Sequence, residues 1–183
     1  DADPDVDPDV DSEEDGHGLN QISELLLAKI ARIHEEILNE IPEAIATHQE
    51  MLSYLPQRLG SIRALVRLFE HGAQWIEQAD ALTQLSDHEK LSLEDKLLSL
   101  QTLGRVLYHN LEDYDRALNT FARILELAPH DSEVMNALEH LIQHEDYQGR
   151  AASSLLPYYQ DHAQVEHQIF ALKVLAADAA RLS

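Results

Sequence analysis

From Asn20 onward, apolar residues recur at three- and four-residue steps, as in Ile22, Leu25, Leu26, Ile30, Ile33 and Ile37. That spacing puts them on one stripe of a helix. No run of alternating β-branched residues competes with it, and Ala and Leu outnumber the strand formers, so the expected class is all-α. Breakers and caps divide the pattern. Pro42 suits the first turn of a second helix after a bend at residues 39–41, and Pro56 closes that helix near Tyr54. A third helix is expected over residues 59–70, with Gly72 as its left-handed C-cap, and a fourth over 74–85. Ser92 followed by Asp95 reads as a capping box opening a fifth helix that runs to about Leu111. Further helices are expected at 114–127, 132–144, 147–159 and 164–181, with Pro157 fraying or ending the eighth.

Sliding the sequence along itself by 73 residues aligns 24–85 with 97–158 without a gap and gives 14 identities in 62 positions. Composition alone would give roughly 4 to 5, so the repeat is real. The identical pairs include Leu38 with Leu111, Ala44 with Ala117, Pro56 with Pro129, Leu65 with Leu138 and Leu82 with Leu155. A unit of four helices splits into two helix hairpins, each too short to bury its apolar face alone and stable only when stacked. The segment Leu103-Gly104, Tyr108, Glu112-Asp113-Tyr114, Ala117, Phe121 and Pro129 resembles the signature of the tetratricopeptide-repeat family. It departs from that signature by one extra residue between Gly104 and Asp113, by Ile124 in place of a small residue, and by a missing Trp. The upstream copy keeps Ala31, Ala44 and Pro56 and has His48 where Phe121 stands.

The resemblance implies a right-handed helical-hairpin solenoid over residues 19–183, with hairpins at about 20–55, 58–86, 93–128 and 131–160 and a terminal helix at 164–182. It also implies a concave groove lined by the first helix of each hairpin. Transferred by register, the groove residues are Arg32, Arg63, Arg67, His71, Arg105, Tyr108, His109, Asn136, His140 and His144. The expected function is a protein–protein interaction scaffold. Its groove would take a peptide or partner segment, with an acidic stretch or a C-terminal carboxylate suited to the Arg forks and Asn binding peptide backbone. Two alternatives are a regulatory helical arm of a larger enzyme and a self-association module in which the last helix docks on another copy.

Charge narrows the partners. The chain has 13 Lys plus Arg against 34 Asp plus Glu, a net −21, which disfavours nucleic acid and anionic membranes. Nine of the acids fall in the first 15 residues, where Asp alternates with Pro, Val and Ala. Residues 1–18 therefore read as an acidic, disordered linker, with capture of this tail by the groove as a further expectation. A calcium loop begun at Asp11 fails because Ile22 stands where a bidentate Glu is required.

Chemistry is sparse. There is no Cys, no Gly-rich phosphate loop and no nucleophile elbow, and His34-Glu35 lacks the second His of a zinc-protease helix, so no enzyme activity and no cofactor are expected. His140 and His144, one turn apart, form the best metal pair but lack an evident third ligand. Phe69, Trp75, Tyr108 and Phe121 lie on apolar stripes and are expected in the core rather than as stacking platforms. No apolar run reaches the ~18 residues of a membrane span. The first residue is Asp and no signal peptide precedes it, which reads as a fragment of a longer chain, with the cytoplasm favoured.

Overall fold

The computed structural model describes the backbone of residues 11–181 and the side chains of residues 22–181. It is all-helical, 81% helix with no strand among the described residues. The helices are α1 (Asp11–Arg32), α2 (Ile41–Tyr54), α3 (Leu59–His71), α4 (Trp75–Ser86), α5 (Leu93–Arg105), α6 (Tyr114–Leu127), α7 (Ser132–Leu141), α8 (Gln148–Asp161) and α9 (Val165–Arg181). Helix α1 starts ahead of the expected Asn20, and the linker expected at 1–18 lies outside the described residues as far as residue 10.

The 73-residue repeat reappears in the helix boundaries. Helix α2 and helix α6 match at both ends, α3 and α7 match at their starts, as do α4 and α8, and α1 and α5 both end on an Arg. Each of those two Arg residues leads into a π-helical turn, Ile33–Leu38 after α1 and Val106–Asn110 after α5. A π turn carries about one residue more than an α-helical turn without breaking the helix, and the second one lies between Gly104 and Asp113. A left-handed residue follows each turn, Asn39 directly (φ 55°) and Glu112 after Leu111 (φ 52°). The next amide in each case reaches back six residues, Glu40 N–H to the His34 carbonyl and Asp113 N–H to that of Leu107.

The chain divides into two compact units between Leu68 and Phe69, inside α3. In the first unit α1 packs along α2, and Ala31, Ala44, Met51, Ile62, Leu65 and Leu68 are buried. Arg58 pairs with Glu24, and Ser61 Oγ donates to Met51 Sδ at 3.7 Å.

In the second unit every helix from α4 to α9 packs on its neighbour in sequence, and α6 also meets α8. Leu82, Leu100, Leu107, Ile124, Leu138, Leu141 and Leu155 form its core. At roughly 1.5–3 kcal/mol per fully buried aliphatic side chain, this burial outweighs the exposed ion pairs. Those pairs nonetheless repeat in register. Arg116 reaches Asp80 (3.0 Å), Arg123 reaches Asp87 (2.6 Å) and Arg150 reaches Asp115 (2.7 Å), each linking one even-numbered helix to the preceding one.

The Ser92 cap expected from the sequence is present, and Asp113 and Asp131 cap α6 and α7 in the same way. Ser92 Oγ accepts from Asp95 N–H, Asp113 from Arg116 N–H, and Asp131 from the amides of Glu133 and Val134. Helix α7 stops at Leu141, short of the expected 144, and two further expectations need correction. Gly72 is not the left-handed cap of α3; Ala73 is, at φ 51°, because Gln74 N–H bonds to the Phe69 carbonyl and carries the helix one residue further. Pro157 does not end α8, which continues to Asp161. Pro157 and Ser153 lie on the exposed face, where water can satisfy the carbonyl that proline leaves without a donor.

Candidate functional site

Helices α5, α6 and α7 enclose a cleft of about 370 Å³ in the second unit. Its floor is apolar: Gly104, Phe121, Ile124, Val134 and Ala137. Gly104 is there because a side chain would not fit. A Cβ at that position would lie 2.9 Å from Phe121 Cε1, so the absence of one lets α5 and α6 close on each other beneath the cleft. Phe121, buried as expected from its stripe, fills the space.

Polar groups stand on the walls. Gln101 and Arg105 come from α5, Tyr108 and His109 from the π turn after it, Asp131 and Glu133 from the start of α7, and Asn136 and His140 from its exposed side. Most of the charge is spent locally. The Arg105 fork holds Glu133 through Nε (3.0 Å) and Nη2 (3.2 Å), which keeps the guanidinium pKa above its ordinary value. Gln101 Nε2 donates to Asp131 Oδ2 at 2.6 Å while the other Asp131 oxygen caps α7. The Tyr108 hydroxyl and His140 Nδ1 share a hydrogen bond of 2.7 Å, and burial, with a smaller contribution from Tyr114, raises the Tyr108 pKa. Arg105 and Glu133 thus cancel, and Asp131 leaves the walls with one uncompensated negative charge.

Aromatic rings continue the cleft toward the end of α7. Tyr108 lies 5.5 Å from Tyr114 and 6.1 Å from His140, His140 lies 4.9 Å from His144, and His144 lies 6.1 Å from Tyr114. The metal pair considered from the sequence is therefore part of an aromatic cluster, and no group of three His, Cys, Asp or Glu among the described residues is placed to hold a metal ion.

Five of the groove residues transferred by register, Arg105, Tyr108, His109, Asn136 and His140, line this cleft, and His144 adjoins it. The others do not join them there. His71 is exposed in the last turn of α3. Arg32, Arg63 and Arg67 are exposed in the first unit. Arg32 pairs with Glu36 at 2.8 Å, and Arg67 grips both oxygens of Glu35, which holds that carboxyl below its ordinary pKa. Beside this pair His48 is half-buried, its Nδ1 makes no hydrogen bond, and burial lowers its pKa.

Sequence reasoning missed Asp131 and Glu133 as wall residues. The available signal was an acid about one hairpin beyond a groove Arg or Gln, the spacing at which Arg105 meets Glu133. None of the helices among the described residues is long and apolar enough to cross a membrane. Neither the models of known protein families nor the curated proteins contain a match to the chain.

Proposed function

We propose that this chain is a helix-hairpin scaffold of the tetratricopeptide kind that binds an extended segment of another protein through the α5–α7 cleft. The observation that carries the reading is the cleft's composition, an apolar floor under a rim that includes Asn136, His109 and His140. An apolar side chain of the partner would occupy the floor, and Asn136, with both a donor and an acceptor, would bond its backbone. Arg105, Arg67 and Arg32 already hold Glu133, Glu35 and Glu36, so acid capture is a weaker basis for binding than an apolar anchor. The sequential packing of α4 to α9 and the repeated helix boundaries support the solenoid part of this reading.

An immobilised library of extended peptides, probed with the full chain and with its Ala137→Arg variant, tests the proposal. Retained peptides should share one apolar residue, and Ala137→Arg should abolish retention because it fills the floor. A peptide set with no common apolar residue, or one unaffected by Ala137→Arg, overturns it.

A further inference from the structure

Helix α1 has two apolar faces, and α2 covers only one. Leu27 is half-buried and Ala31 is fully enclosed. On the adjoining side, Ile22, Leu26 and Ile30 of α1, and Ile33 and Ile37 of the π turn after it, are 42–73% exposed. They follow one another at steps of four, four, three and four, which makes a continuous ridge.

The repeat shows what such a ridge is built to receive. Seventy-three residues on, Leu26, Ile30 and Ile33 become Ser99, Leu103 and Val106 in α5 and the π turn after it. There the same positions are buried, with Leu103 at 2% and Val106 at 5% exposure. Helix α4 packs against α5 and against that π turn in addition to the cover supplied by α6. The middle of the ridge, Leu26 to Ile33, thus corresponds to surface that is covered in the second unit, where α4 packs, while its ends, Ile22 and Ile37, correspond to Asp95 and Asn110.

With Leu25 and Leu38 beside it, the ridge presents on the order of 600 Å² of apolar surface, at the top of the roughly 300–600 Å² of the largest patch on a typical monomer. That approaches the roughly 800 Å² per partner of a standard stable interface. Tyr54 and Leu55, exposed at the mouth of a groove between α1 and α2 that Leu26 also lines, extend the patch. The exposed face of α9 is shorter, carried by Val165, Ile169, Phe170 and Leu172.

We infer that α1 pairs with α1 of a second copy of this chain, antiparallel across a two-fold axis, each helix covering the other's ridge as α4 covers α5. One two-fold contact buries both ridges and closes the assembly at a dimer. This surface is separate from the α5–α7 cleft and from the α9 docking expected from the sequence.

Sedimentation equilibrium of the full chain over a concentration series, with an Ile30→Glu/Ile33→Glu variant, reads the association. The wild-type mass should reach twice that of the chain, and the variant mass should fall to half of that with unchanged helicity, since both side chains are outside the core. Orientation is read by oxidising a mixture of Ile22→Cys and Ile37→Cys chains, free of background because the native sequence has no Cys. Cross-links between position 22 of one copy and 37 of the other are expected, and they decide the matter even where the double Glu variant loses helicity. A monomeric mass at every concentration, a dimer that survives the double substitution with its helicity intact, or cross-links only between identical positions would overturn the inference.

Discussion

Arg67 grips the carboxylate of Glu35 from 32 positions along the chain, and the same two positions one repeat later are His140 and Tyr108, joined by a 2.7 Å hydrogen bond. The geometry linking α3 to the π turn after α1 is thus repeated between α7 and the π turn after α5, with an ion pair exchanged for a hydrogen bond between Tyr108 and His140. Arg67 is 60% exposed, so solvent screens the pair. A double-mutant cycle with Arg67→Ala and Glu35→Ala should give a coupling of about 1 kcal/mol or less. Tyr108→Phe should cost about 0.5–1.5 kcal/mol, measured by urea unfolding. A coupling well above that range would mean that charge rather than packing sets the helix contact in the first unit.

Gly104→Ala should destabilise. The gain in helix propensity is about 1 kcal/mol, but the added Cβ must displace the buried ring of Phe121, an overpacking cost of roughly 1–3 kcal/mol. Position 31, the equivalent site one repeat earlier, already carries Ala and faces a copy in which His48 replaces the phenylalanine. Ala31→Gly should therefore cost about 1–2 kcal/mol, the helix-propensity loss plus one buried methyl. Thermal melts should show both variants below the wild type, although one gains a methyl and the other loses it.

Acid should weaken the first unit in two stages. His48 has a folded pKa below its ordinary 6.5, mainly through burial, so the unfolded chain takes up the proton first and stability falls as pH drops through 6.5. Glu35 is depressed below 4.5 by its bond to Arg67, so its contribution is complete above 4.5 and is lost as pH falls further. Denaturant midpoints of the wild type and His48→Leu at pH 7.5 and 5.5 should differ more at the lower pH, in favour of the variant. Parallel pH profiles would remove His48 from the account.

Ala73 and Ala163 both sit at positive φ, at 51° and 52°, where a Cβ is strained. The amides after them, of Gln74 and Gln164, close the helix ends on the carbonyls of Phe69 and Tyr159. Replacing either by Gly should stabilise by about 0.5–1 kcal/mol, the strain relief exceeding the added chain entropy. A fall in melting temperature for both variants would contradict the cap geometry.

Most helix boundaries are legible in the sequence, because apolar spacing and Pro42, Pro56 and Ser92 act locally. Two ends are not. Gly72 is a strong local signal, but the bond from Gln74 N–H to the Phe69 carbonyl lies in the helix, not in the residue type. Pro157 breaks a helix only where its missing bond is costly, and exposure makes it cheap there. In the site, register placed Arg105, Tyr108, Asn136 and His140 around one cleft, whereas charge counting misjudged its character. Neutralisation depends on which acid lies within reach, and Glu133 is 28 residues from Arg105. The π turns show in the sequence only as one surplus residue before Asp113.

The most direct test of the binding cleft is nuclear magnetic resonance mapping of a library-selected peptide on the full chain. The account predicts shifts concentrated on Gly104, Tyr108, Asn136, Ala137 and His140, saturating together with one affinity. Shifts confined to α1, to α9 or to the outer faces of α6 and α8, with those five residues unmoved, would contradict it.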